Sequence, residues 1–265
     1  MRISTVLFWA AVWLVLGFIL LPAVVVMVSA FNASSIMNFP PRAWSLRWFM
    51  RALTYEDFRA GLVNGLVVTA WASSLAVLAG TGFAIAAHRA RFRGRGLLMT
   101  LLLSPMVIPH FTIGLGLLIL AARVGLLQSF ALVVACHVIL VTPFVLRSVA
   151  ISLAALDGRL EQAAAGLGAG PWTVLVRITL PLLAPGLFSG WLFAAILSFN
   201  EFTASLFVTS QATQTLPVAM YAYVREFADP TMAALSTIYI LVTATLLSAA
   251  SRFLGLERLL RAGHR

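Results

Sequence analysis

Long apolar stretches dominate the pattern of hydrophobic and polar positions along this 265-residue chain. A helix needs about 20 mostly apolar residues to cross the hydrocarbon core of a bilayer. Transmembrane β-strands would instead give segments of about ten residues with alternating polarity, whereas these stretches are continuous. The pattern predicts an all-α integral membrane protein, forming one domain over residues 1–265, with six transmembrane helices. The predicted spans are 6–30, 62–87, 97–122, 126–147, 183–208 and 232–254.

The composition supports a membrane protein and argues against an enzyme. Hydrophobic residues make up 62% of the chain and charged residues 10%, whereas a soluble domain has about half and a quarter. The single cysteine, Cys136, lies in an apolar stretch and excludes an intramolecular disulfide. The four histidines have no metal-ligand spacing, and no nucleophile–base motif or phosphate-binding loop is present. We therefore predict no catalytic residue, no metal site and no cofactor in this chain.

The distribution of arginine predicts the orientation in the membrane. All 18 basic residues are arginines, and they lie at the ends of apolar stretches, which favours a topology signal over nucleic-acid binding. With the N-terminus inside, 12 arginines are cytoplasmic and 6 are external. The cytoplasmic set is Arg2, Arg89, Arg91, Arg93, Arg95, Arg147, Arg159, Arg177, Arg252, Arg258, Arg261 and Arg265. We expect a multi-pass membrane protein with both termini in the cytoplasm.

A polar segment between the fourth and fifth spans, residues 150–181, is named here the motif loop. Its apolar residues follow the spacing of one helical face, from Leu156 to Leu167. Asp157 suits the positive end of that helix, and Pro171 suits the first position of a second short helix. The pattern predicts two short helices joined by a glycine-rich bend and ending at Pro181, where the fifth span begins. Such a polar, helical loop indicates a docking surface.

The motif loop resembles the EAA signature of the inner-membrane permeases of binding-protein-dependent ABC importers. That signature is Glu-Ala-Ala, three residues, Gly, nine residues, Ile, one residue, Leu-Pro, and every interval matches here. The resemblance implies that this loop docks on an ATPase and couples its closure to the membrane helices. The coupling residues that it implies are Glu161, Gln162, Ala163, Ala164, Gly168, Ile178, Leu180 and Pro181.

One position departs from this signature. Gln162 stands where the family has glutamate, and Glu161 precedes it. Either Gln162 acts as an uncharged hydrogen-bonding equivalent, or Glu161 takes that role about 100° away around the helix.

Other segments resemble the spermidine/putrescine-type group of these permeases, namely 21–32, 104–109, 114–118 and 198–221. The resemblance implies the type I ABC importer permease fold, with six helices and a helical cytoplasmic coupling loop. It also implies several partners: an ABC ATPase dimer that binds ATP and Mg²⁺, a second and usually distinct permease subunit, and a periplasmic substrate-binding protein. A polyamine is the expected solute, with iron, an organic anion or another solute as alternatives.

Polar residues near the end of the fifth span predict part of a translocation pathway. Glu201 follows about twenty uncharged residues, and an ionisable group there indicates a functional site. Ser198, Glu201 and Ser205 fall on one face if the helix continues, and His110 is a further candidate. Alternatively, Glu201 marks the outer boundary of the membrane and pairs with an arginine such as Arg225, and His110 is a packing histidine.

Two prolines, Pro105 and Pro109, predict a kinked third span beside the pore. The rival function from another class is an ion-coupled secondary transporter or channel. That class would need inverted repeats or several ionisable groups within the membrane, and few are available here. An intramembrane enzyme would need a paired nucleophile and base, and no such pair is present.

Overall fold

The computed structural model describes residues 2–36, 38–89 and 92–253, and helices account for most of them. Arg91, Arg258, Arg261 and Arg265, which contribute to the predicted orientation, lie outside the described residues. The helices are α1 (Arg2–Ser29), α2 (Arg47–Thr54), α3 (Glu56–Arg89), α4 (Arg95–Leu103), α5 (His110–Val124), α6 (Phe130–Ala154), α7 (Gly158–Gly166), α8 (Pro171–Val174), α9 (Leu180–Phe199), α10 (Ser205–Val208), α11 (Leu216–Glu226) and α12 (Thr231–Phe253).

Internal contacts divide the described chain into two compact units. The first contains the described residues up to Arg59 and from Met220 onward, and the second is Ala60–Ala219. The expectation of a single domain stays a prediction.

In the first unit, α12 packs against α1 and α2. The amphipathic helix α2 buries Trp48, whose indole Nε1 donates a 2.6 Å hydrogen bond to the carbonyl of Asn32. Arg51 at the end of α2 lies 3.4 Å from the carboxylate of Asp229, which also accepts a hydrogen bond from the hydroxyl of Tyr223. These contacts join the polar segment 31–59 to the segment that precedes α12.

In the second unit, α6 lies at the centre and packs most extensively against α9. Gly186 and Gly190, one turn apart on α9, face Ser148 and Ser152 of α6. A side chain on Gly186 would place its Cβ 2.7 Å from the Cβ of Ser152, so only glycine allows this approach. The hydroxyl of Ser148 donates to the carbonyl of Gly186 at 3.0 Å. Small residues and a hydroxyl thus bring the two helices together, as is common between membrane helices.

Four described helices are long and apolar enough to cross a membrane, in agreement with the predicted fold class. They are Thr5–Ser29, Glu56–Arg89, Phe130–Ala154 and Pro171–Phe199. A bent pair of helices would add a fifth crossing, and the described apolar part of α12, Thr231–Thr245, is shorter. The total of six spans stays a prediction.

The third predicted span, 97–122, is not one straight helix. Its two parts, Arg95–Met106 and His110–Val124, meet at an angle of 107°. Pro105 lies in a short 3₁₀ turn, and Pro109 precedes the first residue of α5 in an extended conformation. Because proline lacks a backbone N–H and restricts the residue before it, the helix breaks here. The predicted kink is confirmed and is larger than a bend within one helix.

The prediction for the fifth span, 183–208, was wrong at both ends. The helix does not restart after Pro181 but runs without a break from Pro171 to Phe199. Residues Leu175–Thr179 form a π-helical turn, in which the N–H of Leu180 bonds to the carbonyl of Leu175. This wider turn accommodates Pro181, which has no N–H to offer. At the other end the helix stops at Phe199, and a turn leads to α10.

Candidate functional site

The first short helix of the motif loop, α7, is capped at both ends by local sequence. Asp157 is the N-cap, and its carboxylate accepts a 3.0 Å hydrogen bond from the N–H of Arg159. At the other end Gly168 has φ +89°, a left-handed conformation that favours glycine. The N–H of Gly168 bonds to the carbonyl of Ala165, and that of Ala169 to Ala164. These two bonds form a Schellman motif, so Gly168 fixes the bend after α7.

The surface of the motif loop is largely uncovered within this chain. The described residues of α7 include no fully buried side chain. Leu160 is half-exposed, Leu167 is 90% exposed and Trp172 is 74% exposed. Membrane lipid does not cover a polar loop, so an apolar surface of this kind requires another explanation.

Glu161 does not share this exposure, because its carboxylate points back into the chain. Its Oε1 accepts hydrogen bonds from Arg89 Nη2 at 2.6 Å and from the hydroxyl of Thr179 at 2.5 Å. The same arginine nitrogen donates to Thr179 Oγ1 at 2.8 Å. We name Arg89, Glu161 and Thr179 the loop triad. The hydrogen bond from Thr179 and the charge of Arg89 together lower the pKa of Glu161, against the opposing effect of burial. The neighbouring Gln162 is exposed.

The remaining residues of the signature lie around the π-helical turn. Ile178 and Leu180 are half-buried and Pro181 is exposed, whereas Thr179, the variable position between Ile178 and Leu180, is fully buried. Ala163 is exposed and Ala164 is half-buried on α7. The structure therefore places the eight predicted coupling residues in one region, with Glu161 turned inward.

The candidate pathway residues form a polar cluster between α5, α6 and the turn after α9. His110 Nδ1 donates to Glu201 Oε2 at 2.7 Å, and Glu201 Oε1 accepts from the N–H of Ala204 at 2.8 Å. The side chain of His110 is 40% exposed and that of Glu201 is 10% exposed. The arginine pairing considered for Glu201 is thus replaced by a pairing with His110. This acid lies directly beside the break between α4 and α5.

His137 connects the other two candidate residues. Its ring nitrogens lie 2.8 Å from the hydroxyl of Ser198 and 2.9 Å from that of Ser205. The hydroxyl of Ser205 donates to the carbonyl of Glu201 at 3.1 Å. Ser205 therefore accepts from His137 Nε2, and Nδ1 of a neutral ring would accept from the hydroxyl of Ser198. His137, Ser198 and Ser205 are all buried.

The sequence singled out Ser198, Glu201, Ser205 and His110, but it did not predict how they are arranged. Ser198, Glu201 and Ser205 do not share one helical face, since the helix ends at Phe199. They are instead held together by His110 and His137 from two other helices. Arg89 and Thr179 were not predicted as site residues. No local signal marks them, because their partner Glu161 is 72 and 18 residues away in the chain.

Comparison with known proteins gives consistent results. Residues 75–255 match the family described as binding-protein-dependent transport system inner membrane component. The chain is 32% identical to the putrescine transport system permease protein PotI of Escherichia coli (strain K12), over 87% of this chain and 85% of that protein. It is 27% identical to the spermidine/putrescine transport system permease protein PotC of the same strain, over 88% of each.

A solved structure shares the fold. The crystal structure of a bacterial ABC transporter involved in the import of the acidic polysaccharide alginate contains a chain that matches with a TM-score of 0.73 and 16% identity. The match covers 95% of this chain and 96% of that chain. The family match, the two relatives and the shared fold agree with the helical architecture. This chain belongs to the family of inner membrane components of binding-protein-dependent transport systems, and is a multi-pass permease subunit of an ABC importer rather than an enzyme.

Proposed function

We propose that this permease imports a polyamine. The observation that carries the proposal is the similarity over almost the whole chain to two permeases named for putrescine and spermidine transport. The chemistry of the polar cluster supports it, because Glu201 is a carboxylate held largely out of solvent at the level of the membrane helices. A group of that kind attracts an ammonium group and repels an anion. Ser198, Ser205 and His110 complete the proposed pathway.

The motif loop is the proposed docking surface for an ABC ATPase dimer, which binds ATP and Mg²⁺. Its exposed leucines and Trp172 support this role, since a partner would cover them. The loop then faces the cytoplasm, as do both termini. ATP-driven closure of the ATPases draws this loop and that of a second permease subunit together and opens the pathway outward. Hydrolysis reverses the movement, and a periplasmic binding protein delivers the solute.

Of the two candidates for the polar contact to the ATPase, the exposed Gln162 is favoured over Glu161. The carboxylate of Glu161 already accepts two hydrogen bonds within the chain. An amide at Gln162 has both a donor and an acceptor available to a partner.

The test is uptake by the reconstituted importer, containing both permeases, the ATPase and the binding protein in proteoliposomes. We expect labelled putrescine or spermidine to enter only with internal ATP and the loaded binding protein. A thermal-shift screen of the binding protein against polyamines, iron and organic anions identifies the solute independently. ATP-dependent uptake of iron or an organic anion would overturn the polyamine assignment, and uptake without ATP would indicate a secondary carrier.

A further inference from the structure

We propose that the loop triad connects the motif loop to α3, so that a movement of α7 is passed to α3 as well as to α9. In this proposal, which rests on the proposed function, Glu161 is a positioning residue inside the permease and makes no contact with the ATPase. The motif loop continues directly into α9, whereas α4, α5 and α6 separate it from α3 along the chain.

The geometry brings three separate elements to one point. Arg89 is the last residue of α3, Glu161 lies on α7, and Thr179 ends the π-helical turn before α9. Each of the three polar groups contacts the other two, at 2.6, 2.8 and 2.5 Å. A closed set of three hydrogen bonds, two of them to a carboxylate, restrains distance and direction better than one exposed ion pair does.

The hydrogen bonds of Glu161 are the main polar contact between α7 and the neighbouring elements of the second unit. The described part of α7 has no fully buried side chain and therefore gains little from apolar packing. Within the described residues of Ala60–Ala219, Arg89–Glu161 is the single arginine–carboxylate pair. Thr179 is fully buried, so its hydroxyl offers Glu161 a fixed rather than a mobile partner.

The π-helical turn orients the side chain of Thr179 towards Glu161. A π turn inserts one extra residue and shifts the following side chains around the helix axis. Here it ends at Thr179, whose hydroxyl reaches Glu161 and lies only 3.4 Å from the carbonyl of Val174. The sequence signature fixes Ile178 and Leu180 on either side but leaves the residue between them variable. The signature therefore does not specify the loop triad, because Thr179 occupies its variable position and Arg89 lies outside it.

The experiment uses the full importer in nanodiscs and compares Glu161→Gln, Arg89→Gln and Thr179→Val with the wild type. Each variant keeps the shape of the side chain or shortens it, and Thr179→Val keeps the buried volume. Arg93→Gln is the matched control, because Arg93 is an exposed arginine just beyond the end of α3. The readouts are co-purification of the ATPase, ATP hydrolysis with and without the loaded binding protein, and solute uptake.

We expect the three triad variants to retain the ATPase and the basal hydrolysis. Stimulated hydrolysis and uptake fall about tenfold, the size expected for one charge-assisted hydrogen bond that solvent partly screens. The double variant Arg89→Glu with Glu161→Arg, which exchanges the two charges, should recover part of the stimulated ATP hydrolysis that the single variants lose. Loss of the ATPase from the Glu161→Gln complex would make Glu161 a docking residue and overturn the proposal. Full stimulation in all three variants would overturn it equally.

A second measurement needs no transport and separates this proposal from the proposed function. A spin label at the exposed position Ala165 on α7, in a Cys136→Ala background, reports the mobility of the helix in the isolated permease. We expect greater mobility in Glu161→Gln and Arg89→Gln than in the wild type or Arg93→Gln. Equal mobility in all four overturns the triad, whereas a wild-type importer without ATP-driven uptake overturns only the proposed function.

Discussion

Gly114 lies directly against the backbone of Ala204. A Cβ on Gly114 would lie 2.8 Å from the Cα of Ala204 and 2.7 Å from its carbonyl oxygen. Both groups are backbone and cannot turn aside, so any side chain at position 114 separates α5 from α10. The same contact positions the N-terminal residue of α5, His110, next to Glu201.

Gly114→Val should therefore destabilise this region by about 1–3 kcal/mol, the usual cost of overpacking a close contact. The thermal stability of the purified permease in detergent measures the effect. Gly116→Val is the matched control, because a Cβ at Gly116 on the same helix meets nothing within 4 Å. Equal losses in both variants would show that helix propensity, rather than the contact with Ala204, determines the result.

Gly168→Asp should abolish uptake and stimulated ATP hydrolysis while leaving membrane insertion intact. Two effects contribute, namely strain of about 1–2 kcal/mol at a left-handed residue and a new charge on the docking surface. Gly168→Asn separates them, since asparagine tolerates this conformation about as well as aspartate and adds no charge. We expect Asn to retain more activity than Asp. Unchanged uptake by Gly168→Asp would contradict the coupling role of the loop.

Glu201→Gln tests the proposed pathway. The glutamine oxygen can still accept from the N–H of Ala204, but the negative charge beside His110 is lost. We expect weaker apparent affinity or slower uptake of a diamine, measured as initial rates in proteoliposomes over a range of loaded binding protein. Ser210→Ala, a polar loop residue outside the cluster, serves as the control. An unaltered affinity and rate in Glu201→Gln would remove this residue from the pathway.

The loop triad also has a defined pH dependence. Because the pKa of Glu161 in the folded protein lies below its ordinary value of 4.5, the carboxylate stabilises the loop above that value. This stabilisation is lost as the pH falls through the lowered pKa. His88, whose charge contributes weakly to the same shift, is the other titratable neighbour. The mobility of the Ala165 spin label should be constant from about pH 6 to 8 and should rise only in acid. A change near neutral pH would contradict control of the loop by Glu161.

The sequence predicted those features that depend on neighbouring residues. Long apolar stretches give α1, α3 and α6, and the two prolines give the break before His110. Asp157 and Pro171 predict the starts of α7 and α8. The end of α9 at Phe199 was missed because the residues after it, including Phe202 and Leu206, continue the apolar pattern.

Contacts between distant helices could not be predicted in this way. Glu201 and His110 are 91 residues apart, and their pairing depends on the angle at the break and on the absence of a side chain at Gly114. The sequence left open whether Glu161 or Gln162 makes the polar contact to the ATPase. The carboxylate of Glu161 points into the chain because it binds Arg89 at the end of α3. The spacing of residues within the motif loop cannot predict a partner on another helix.

The π-helical turn at Leu175–Thr179 has a consequence for how such a permease can be altered by evolution. Because each residue of a helix turns the chain by about 100°, the one extra residue in this turn sets the rotational position of the motif loop around the axis of α9. Deletion of Val176, for example, would leave every side chain named above as functional in place and yet rotate the docking surface away from its partner. The orientation of the loop is thus encoded in the length of the segment, which an exchange of amino acids alone does not change.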